Sequence, residues 1–128
     1  MSSMSDYLEN AVLNHFLRNT ATVAPTDVYL ALFTTDPTDA DSGTEVSGGA
    51  YARQIVTFDP PSGGITFNDA DINFPQATAG WGTVTHMGLY DAAVAGNLLY
   101  HAALTVAKTI DTDDVFSVQT GLLTVTMQ

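Results

Sequence analysis

The 128-residue sequence contains no cysteine and only three cations, Arg18, Arg53 and Lys108. Without cysteine there is no disulfide framework and no thiolate chemistry. Against the three cations stand 14 acids, for a formal net charge of −11. Phosphate binding requires clustered cations, so nucleic acid is excluded as a partner, and so is an anionic membrane surface. No apolar run approaches the length of a membrane-spanning helix. Residues 1–6 lack the basic n-region and apolar h-region of a signal peptide, so none is expected. Glutamate is scarce as well: the acids are twelve Asp and only Glu9 and Glu45. Asp is a cap and turn residue more than a helix residue, so the composition leans toward β structure with many turns.

What is present is globular in character, with 45% hydrophobic and 13% charged residues. The length suits one domain spanning 1–128. The stretch Trp81-Gly-Thr-Val-Thr-His-Met-Gly-Leu-Tyr-Asp91 holds the only Trp and alternates across two faces. Val84, His86, Gly88 and Tyr90 are expected on one side, and Thr83, Thr85, Met87 and Leu89 on the other. Strand-like runs flank it in the chain, which predicts an inner strand of the main sheet.

Residues 5–19 are the one good helix. Ser5 or Asp6 serves as its cap, with Asp6 and Glu9 at capping-box spacing. Leu8, Val12 and Phe16 recur every four residues, with Leu13 and Leu17 widening the stripe. Arg18 suits the C-terminal end of the helix dipole. Residues 28–34 read as a strand apolar on both faces. Residues 35–49 form a long acidic loop. Further strands are expected at 51–58, 65–68, 72–74, 83–90, 98–106, 115–119 and 122–127, with a turn at 108–114. About eight short strands with turn signals between them predict a mainly β protein, an antiparallel sandwich of jelly-roll kind with one N-terminal amphipathic helix. No internal repeat and no linker is visible.

The candidate chemistry is weak. Asp39-x-Asp41-x-Gly43-x-Glu45 places hard oxygen ligands close together, but it lacks the glycine position and distant glutamate of an EF-hand, so a solvated loop is preferred to a calcium site. His86 and His101 lie on adjacent strands, yet two histidines without a third ligand make no zinc site. There is no Ser on a strand–helix elbow, and the carboxylates outside the helix fall mostly in turns. Phe33, Tyr51, Trp81, Tyr90 and Tyr100 suit a core better than a sugar-binding face.

Several segments together carry a resemblance. They are Ser5-Asp-Tyr-Leu-Glu-Asn-Ala-Val-Leu-Asn-His15 with Arg18-Asn-Thr20, Val28-Tyr-Leu-Ala-Leu-Phe-Thr-Thr-Asp-Pro-Thr-Asp39, Gly43-Thr-Glu-Val-Ser-Gly-Gly49 with Tyr51-Ala-Arg-Gln54, Ile72-Asn-Phe-Pro-Gln-Ala77, Trp81-Gly-Thr-Val-Thr-His86 and Gly88-Leu-Tyr-Asp91. In this order they resemble a family of small virion proteins of tailed bacteriophages and prophages, often labelled tail fibre proteins and in some cases assigned as head decoration (cement) proteins. The resemblance implies a non-enzymatic, β-rich particle protein that works as an oligomer. It supplies no catalytic residue, no cofactor and no metal ligand. The expected location is the virion, on the capsid exterior. The expected partners are the major capsid protein and copies of the chain itself, as a homotrimer on local threefold axes. The choice of cement rests on the compact chain, which has no collagen-like repeat, coiled coil or shaft. The alternative is a tail fibre, tail-tip or baseplate component that binds a host carbohydrate or receptor. The expected contact residues are Leu8, Val12 and Phe16 on the helix and Asp36, Asp39, Asp41 and Glu45 in the loop. With Phe16 in a buried stripe and Asp41 in a solvated loop, Phe16→Asp is expected to harm assembly or folding more than Asp41→Asn.

Overall fold

A computed structural model describes residues 2–127. In chain order the elements are β1 (Ser3–Met4), α1 (Asp6–Leu17), β2 (Val28–Phe33), β3 (Gln54–Val56), β4 (Ile65–Phe67), β5 (Ile72–Asn73), β6 (Gly82–Tyr90), β7 (Leu98–Ile110), β8 (Ser117–Val118) and β9 (Thr124–Thr126). The protein is mainly β, every strand pair is antiparallel, and the one helix lies near the N-terminus.

The main sheet has the order β1-β7-β6-β2-β3, so the Trp81-led strand does lie at its centre. β4 pairs with β9 and β5 with β8 as two separate ribbons. The principal core lies between these layers. Leu30, Leu32, Val84 and Leu89 from the sheet pack with Ile72, Phe74, Phe116, Leu123 and Val125 from the ribbons and their flanks. A second, smaller cluster of Ala31, Phe33, Tyr90 and Leu98 fills the other face of the sheet. β2 feeds both clusters, which is why it is apolar on both sides.

The expected alternation along β6 fails at one place. Val84 pairs with Lys108, but His86 pairs with Ala103, so residues 104–107 of β7 stand opposite Thr85 alone. An irregularity of this kind moves side chains to the other face. Val84 therefore joins Met87 and Leu89 in the principal core instead of siding with His86, Gly88 and Tyr90. Gly88 leaves space that its neighbours use. A Cβ there would lie 2.8 Å from Leu98 Cδ1 and 3.0 Å from Phe33 Cε1. Its cross-strand partner is Ala31, so two small residues side by side make room for the rings above them.

Other boundaries also shift. β1 was not expected; it forms because Ser3 and Met4 pair with His101 and Tyr100. β7 runs on to Ile110, through the residues expected to begin a turn, because Thr83 and Val84 pair with Thr109 and Lys108. The strand expected at 51–58 shrinks to Gln54–Val56, and those at 115–119 and 122–127 shrink to the cores of their ribbons.

The helix is shorter than expected, and its cap is Ser5 rather than Asp6. Ser5 Oγ accepts the Leu8 N–H at 3.1 Å, while the hydroxyl donates to the Leu98 carbonyl. At the other end Asn19 takes a left-handed φ of 52°, which Asn tolerates, and the Thr20 N–H reaches back to Asn14. Packing corrects the stripe. No residue of α1 is fully buried, and Phe16 is 76% exposed. Leu8 and Val12 are half-buried, but the last turn stands clear of the sheet. No helix among the described residues is long and apolar enough to cross a membrane.

Candidate functional site

The acidic loop does not float in solvent. Its ends are tied to the sheet, since Phe33 bridges to Glu45 and the Val46 N–H donates to the Leu32 carbonyl. Pro37 and Val46 are buried. The Asp39 carbonyl accepts the Asp6 N–H, so the loop also meets the first turn of α1. The loop is exposed along most of its length, as expected, but it is not free: its side chains act as struts over the outer face of the sheet.

Each of the four expected loop residues meets a side chain elsewhere in the chain. Glu45 takes both its oxygens to Arg53, with Oε2 2.8 Å from Nε and Oε1 2.8 Å from Nη2. Tyr51 donates to the same Glu45 Oε2 at 2.7 Å and accepts the Leu32 N–H at 3.0 Å. Arg53 Nη1 donates to the carbonyls of Ala92 and Ala95 in the β6–β7 connection. Its guanidinium carbon lies 3.7 Å from the centre of the Tyr90 ring, a cation–π contact. Tyr90 in turn donates to Asp41 Oδ1 at 2.5 Å. One side chain, Arg53, thereby clamps the loop, the start of the next segment and the turn beyond β6.

The histidines sit beside this hub on the same face. His101 Nε2 is 2.7 Å from Asp39 Oδ1; a carboxylate only accepts, so the ring donates. Asp36 stands between the two rings, 3.8 Å from His101 Nδ1 and 3.9 Å from His86 Nε2. His86 Nδ1 bonds Thr85 Oγ1 at 2.8 Å. The expected pairing of His86 and His101 across adjacent strands is therefore real in placement, with a carboxylate interposed. Asp39, Asp41 and Glu45 diverge toward His101, Tyr90 and Arg53, so they do not converge on a common ion. No group of three or more His, Cys, Asp or Glu able to hold a metal is present among the described residues.

Burial pushes the Tyr51 and Tyr90 phenols far above the usual tyrosine range, and the hydrogen bonds to Glu45 and Asp41 add to the effect. Burial alone raises Tyr100. Each raised phenol keeps its proton in the folded state at a pH where the unfolded chain loses it, above about 10. Stability is therefore intact below that pH and declines as pH rises through it. The expected result of an alkaline titration is a part of the tyrosinate absorbance that appears only together with loss of near-ultraviolet circular dichroism. Ionisation of all five tyrosines near pH 10 with the dichroism intact would contradict the burial and bonding described above.

The aromatics expected in the core are there. Trp81, Phe33 and Tyr90 are buried, and Tyr51, Phe74 and Trp81 pack against one another. Trp81 donates its indole N–H to the Gly49 carbonyl at 2.8 Å. Of the expected contact residues, Leu8 and Val12 face the body, and Phe16 faces outward. Arg53, Tyr90 and His101 were not on that list. A cation in a run expected as a strand, in so acidic a chain, was the available signal for the first of them.

This assembly of carboxylates, each neutralised or bonded within the chain, suits holding a surface in shape more than attacking a substrate. Compared with known families, residues 3–126 match the model of the family Gp80, described as podophage GP4 fiber I protein gp80. No curated protein matches the chain.

Proposed function

The chain belongs to the Gp80 family of phage virion structural proteins, and we propose that within the particle it is a non-enzymatic component of the fibre apparatus. The match of residues 3–126 to a family described as fibre protein carries this reading. The geometry supports a role exercised through contact. The acidic loop is pinned by Arg53, Tyr90 and His101, and the apolar end of α1 is presented to solvent. The compactness that favours capsid cement supports a second reading, in which the partner is the major capsid protein.

Immunogold labelling of purified virions, combined with copy counting by quantitative mass spectrometry, separates the two. The expected result is label confined to the tail, copies far fewer than those of the major capsid protein, and loss of adsorption when antibody is added. Label over the whole head, at copy numbers close to those of the major capsid protein, would replace fibre with cement.

A further inference from the structure

Among the described residues, two apolar surfaces gather several side chains and are left open. One is the outer side of the last turns of α1, where Leu13 is 52% exposed and Phe16 and Leu17 are each 76% exposed. Their spacing of three and four residues places them on one face. The other is a groove of about 570 Å³ walled by Val28, Phe58, Ile65, Leu99, Tyr100 and Met127. Apolar surface gathered in this way marks an interaction site.

The charges at the two surfaces are opposite. Arg18 follows the helix face directly, and its one side-chain bond is an exposed one to Asn14 of its own helix, at 2.9 Å. Asp59 lines the groove. Arg53, by contrast, is held inside the chain by Glu45.

We infer that the end of α1 in one copy docks in this groove of a second copy, with Phe16 and Leu17 against the apolar wall and Arg18 against Asp59. Two bodies of net charge −11 repel each other. A lasting contact between them needs an apolar patch and a cation set against an acid, and this pairing supplies both. Pairing two α1 faces with each other would leave the groove uncovered. Because helix and groove are different surfaces, the contact is heterologous: each dimer keeps one free helix and one free groove, and growth ends in a ring or continues as a stack. The inference rests on these surfaces and holds for a fibre or a capsid protein alike.

Sedimentation velocity over a concentration series tests it. The wild-type chain is expected to form dimers and larger species. F16D and I65E are each expected to remain monomeric, with unchanged circular dichroism and melting. Mixed together, they are expected to give a one-to-one dimer and nothing larger, since one retains the groove and the other the helix. R18D and D59R should each weaken association roughly tenfold, and combining them in one chain should restore it. Should I65E fail to fold, M127E in the same wall takes its place; Met127 is 44% exposed. A wild-type chain that stays monomeric, a groove variant that assembles like wild type, or a mixture that stays monomeric overturns the inference.

Discussion

Replacing Arg53 by Met is expected to lower the free energy of unfolding by about 3 kcal/mol, the cost of breaking a mostly buried ion pair by removing one partner. The Arg53 side chain is 8% exposed and that of Glu45 25%, so the carboxylate left behind regains only part of its hydration. The same change removes donors from the Ala92 and Ala95 carbonyls and the cation from the Tyr90 ring. Lysine should not rescue the loss. A single ammonium cannot reproduce the two parallel bonds to Glu45 while also reaching both carbonyls. Removing the charge from both sides, with Arg53→Met and Glu45→Leu together, should recover part of the stability, because a well-packed apolar pair often equals a buried ion pair. Tyr51 would still lose its acceptor. Urea midpoints of the two single variants and the double variant form the cycle that checks this. A loss in Arg53→Met of only a few tenths of a kcal/mol, as for a surface pair, would contradict the clamp.

The clamp also shows where sequence reasoning reached and where it stopped. The alternation of residues 83–90 and the runs beside it were enough to place β6 at the centre of the sheet, because period-two burial is a local property. The helix was legible for the same reason, through its cap and its four-residue recurrence. The acidic residues Asp36, Asp39, Asp41 and Glu45 were visible as a set, yet they read as solvated. Their partners are set by topology: Tyr90 is 49 positions from Asp41, and His101 is 62 from Asp39. β1 was invisible because two residues carry no periodicity and exist as a strand only through β7. The face of Val84 was misplaced because nothing in the local pattern marks residues 104–107 as surplus to the pairing. Phe16 is the instructive case. Its recurrence with Leu8 and Val12 correctly signals an apolar stripe, but periodicity does not say whose surface covers it. With Phe16 exposed and Asp41 bonded to Tyr90, the expected order of harm reverses for folding of the isolated chain: Asp41→Asn removes a charged acceptor, while Phe16→Asp alters a solvated side chain.

Asn68 is the residue whose importance the sequence hid most completely, and its replacement should rival that of Arg53. It reads as the last residue of a short strand, just before the acidic break Asp69-Ala-Asp71, where a polar side chain is expected to meet water, yet it is 0% exposed. Its Nδ2 donates to the Ala70 carbonyl at 2.9 Å and to the Gln119 carbonyl at 3.1 Å, and its Oδ1 accepts the Leu123 N–H at 2.9 Å. Backbone bonds at the same residue, from its own N–H to Leu123 and from the Gly121 N–H to its carbonyl, complete the seam. One amide thus fastens the end of β4 to the connection between β8 and β9, where neither ribbon has a long ladder of its own. Asn68→Ala leaves two acceptors and one donor unpaired in a closed site, at an expected cost of about 3 kcal/mol. Asn68→Asp is the sharper test, because it keeps the shape and the Oδ1 acceptor. At neutral pH it sets a carboxylate against two carbonyl oxygens without water, so it should be at least as damaging as Ala. Burial would raise the folded-state pKa of the new carboxyl above the unfolded value of about 3.9. The penalty should therefore shrink as pH falls toward that value, since the protonated acid can donate to one of the two carbonyls. Urea unfolding of the wild type, N68A and N68D at pH 7 and again near pH 4.5 measures this directly. A gap between N68D and wild type that narrows at the lower pH, beside an unchanged gap for N68A, is the expected pattern; a gap for N68D that stays constant would mean that residue 68 is solvated and the seam is not closed.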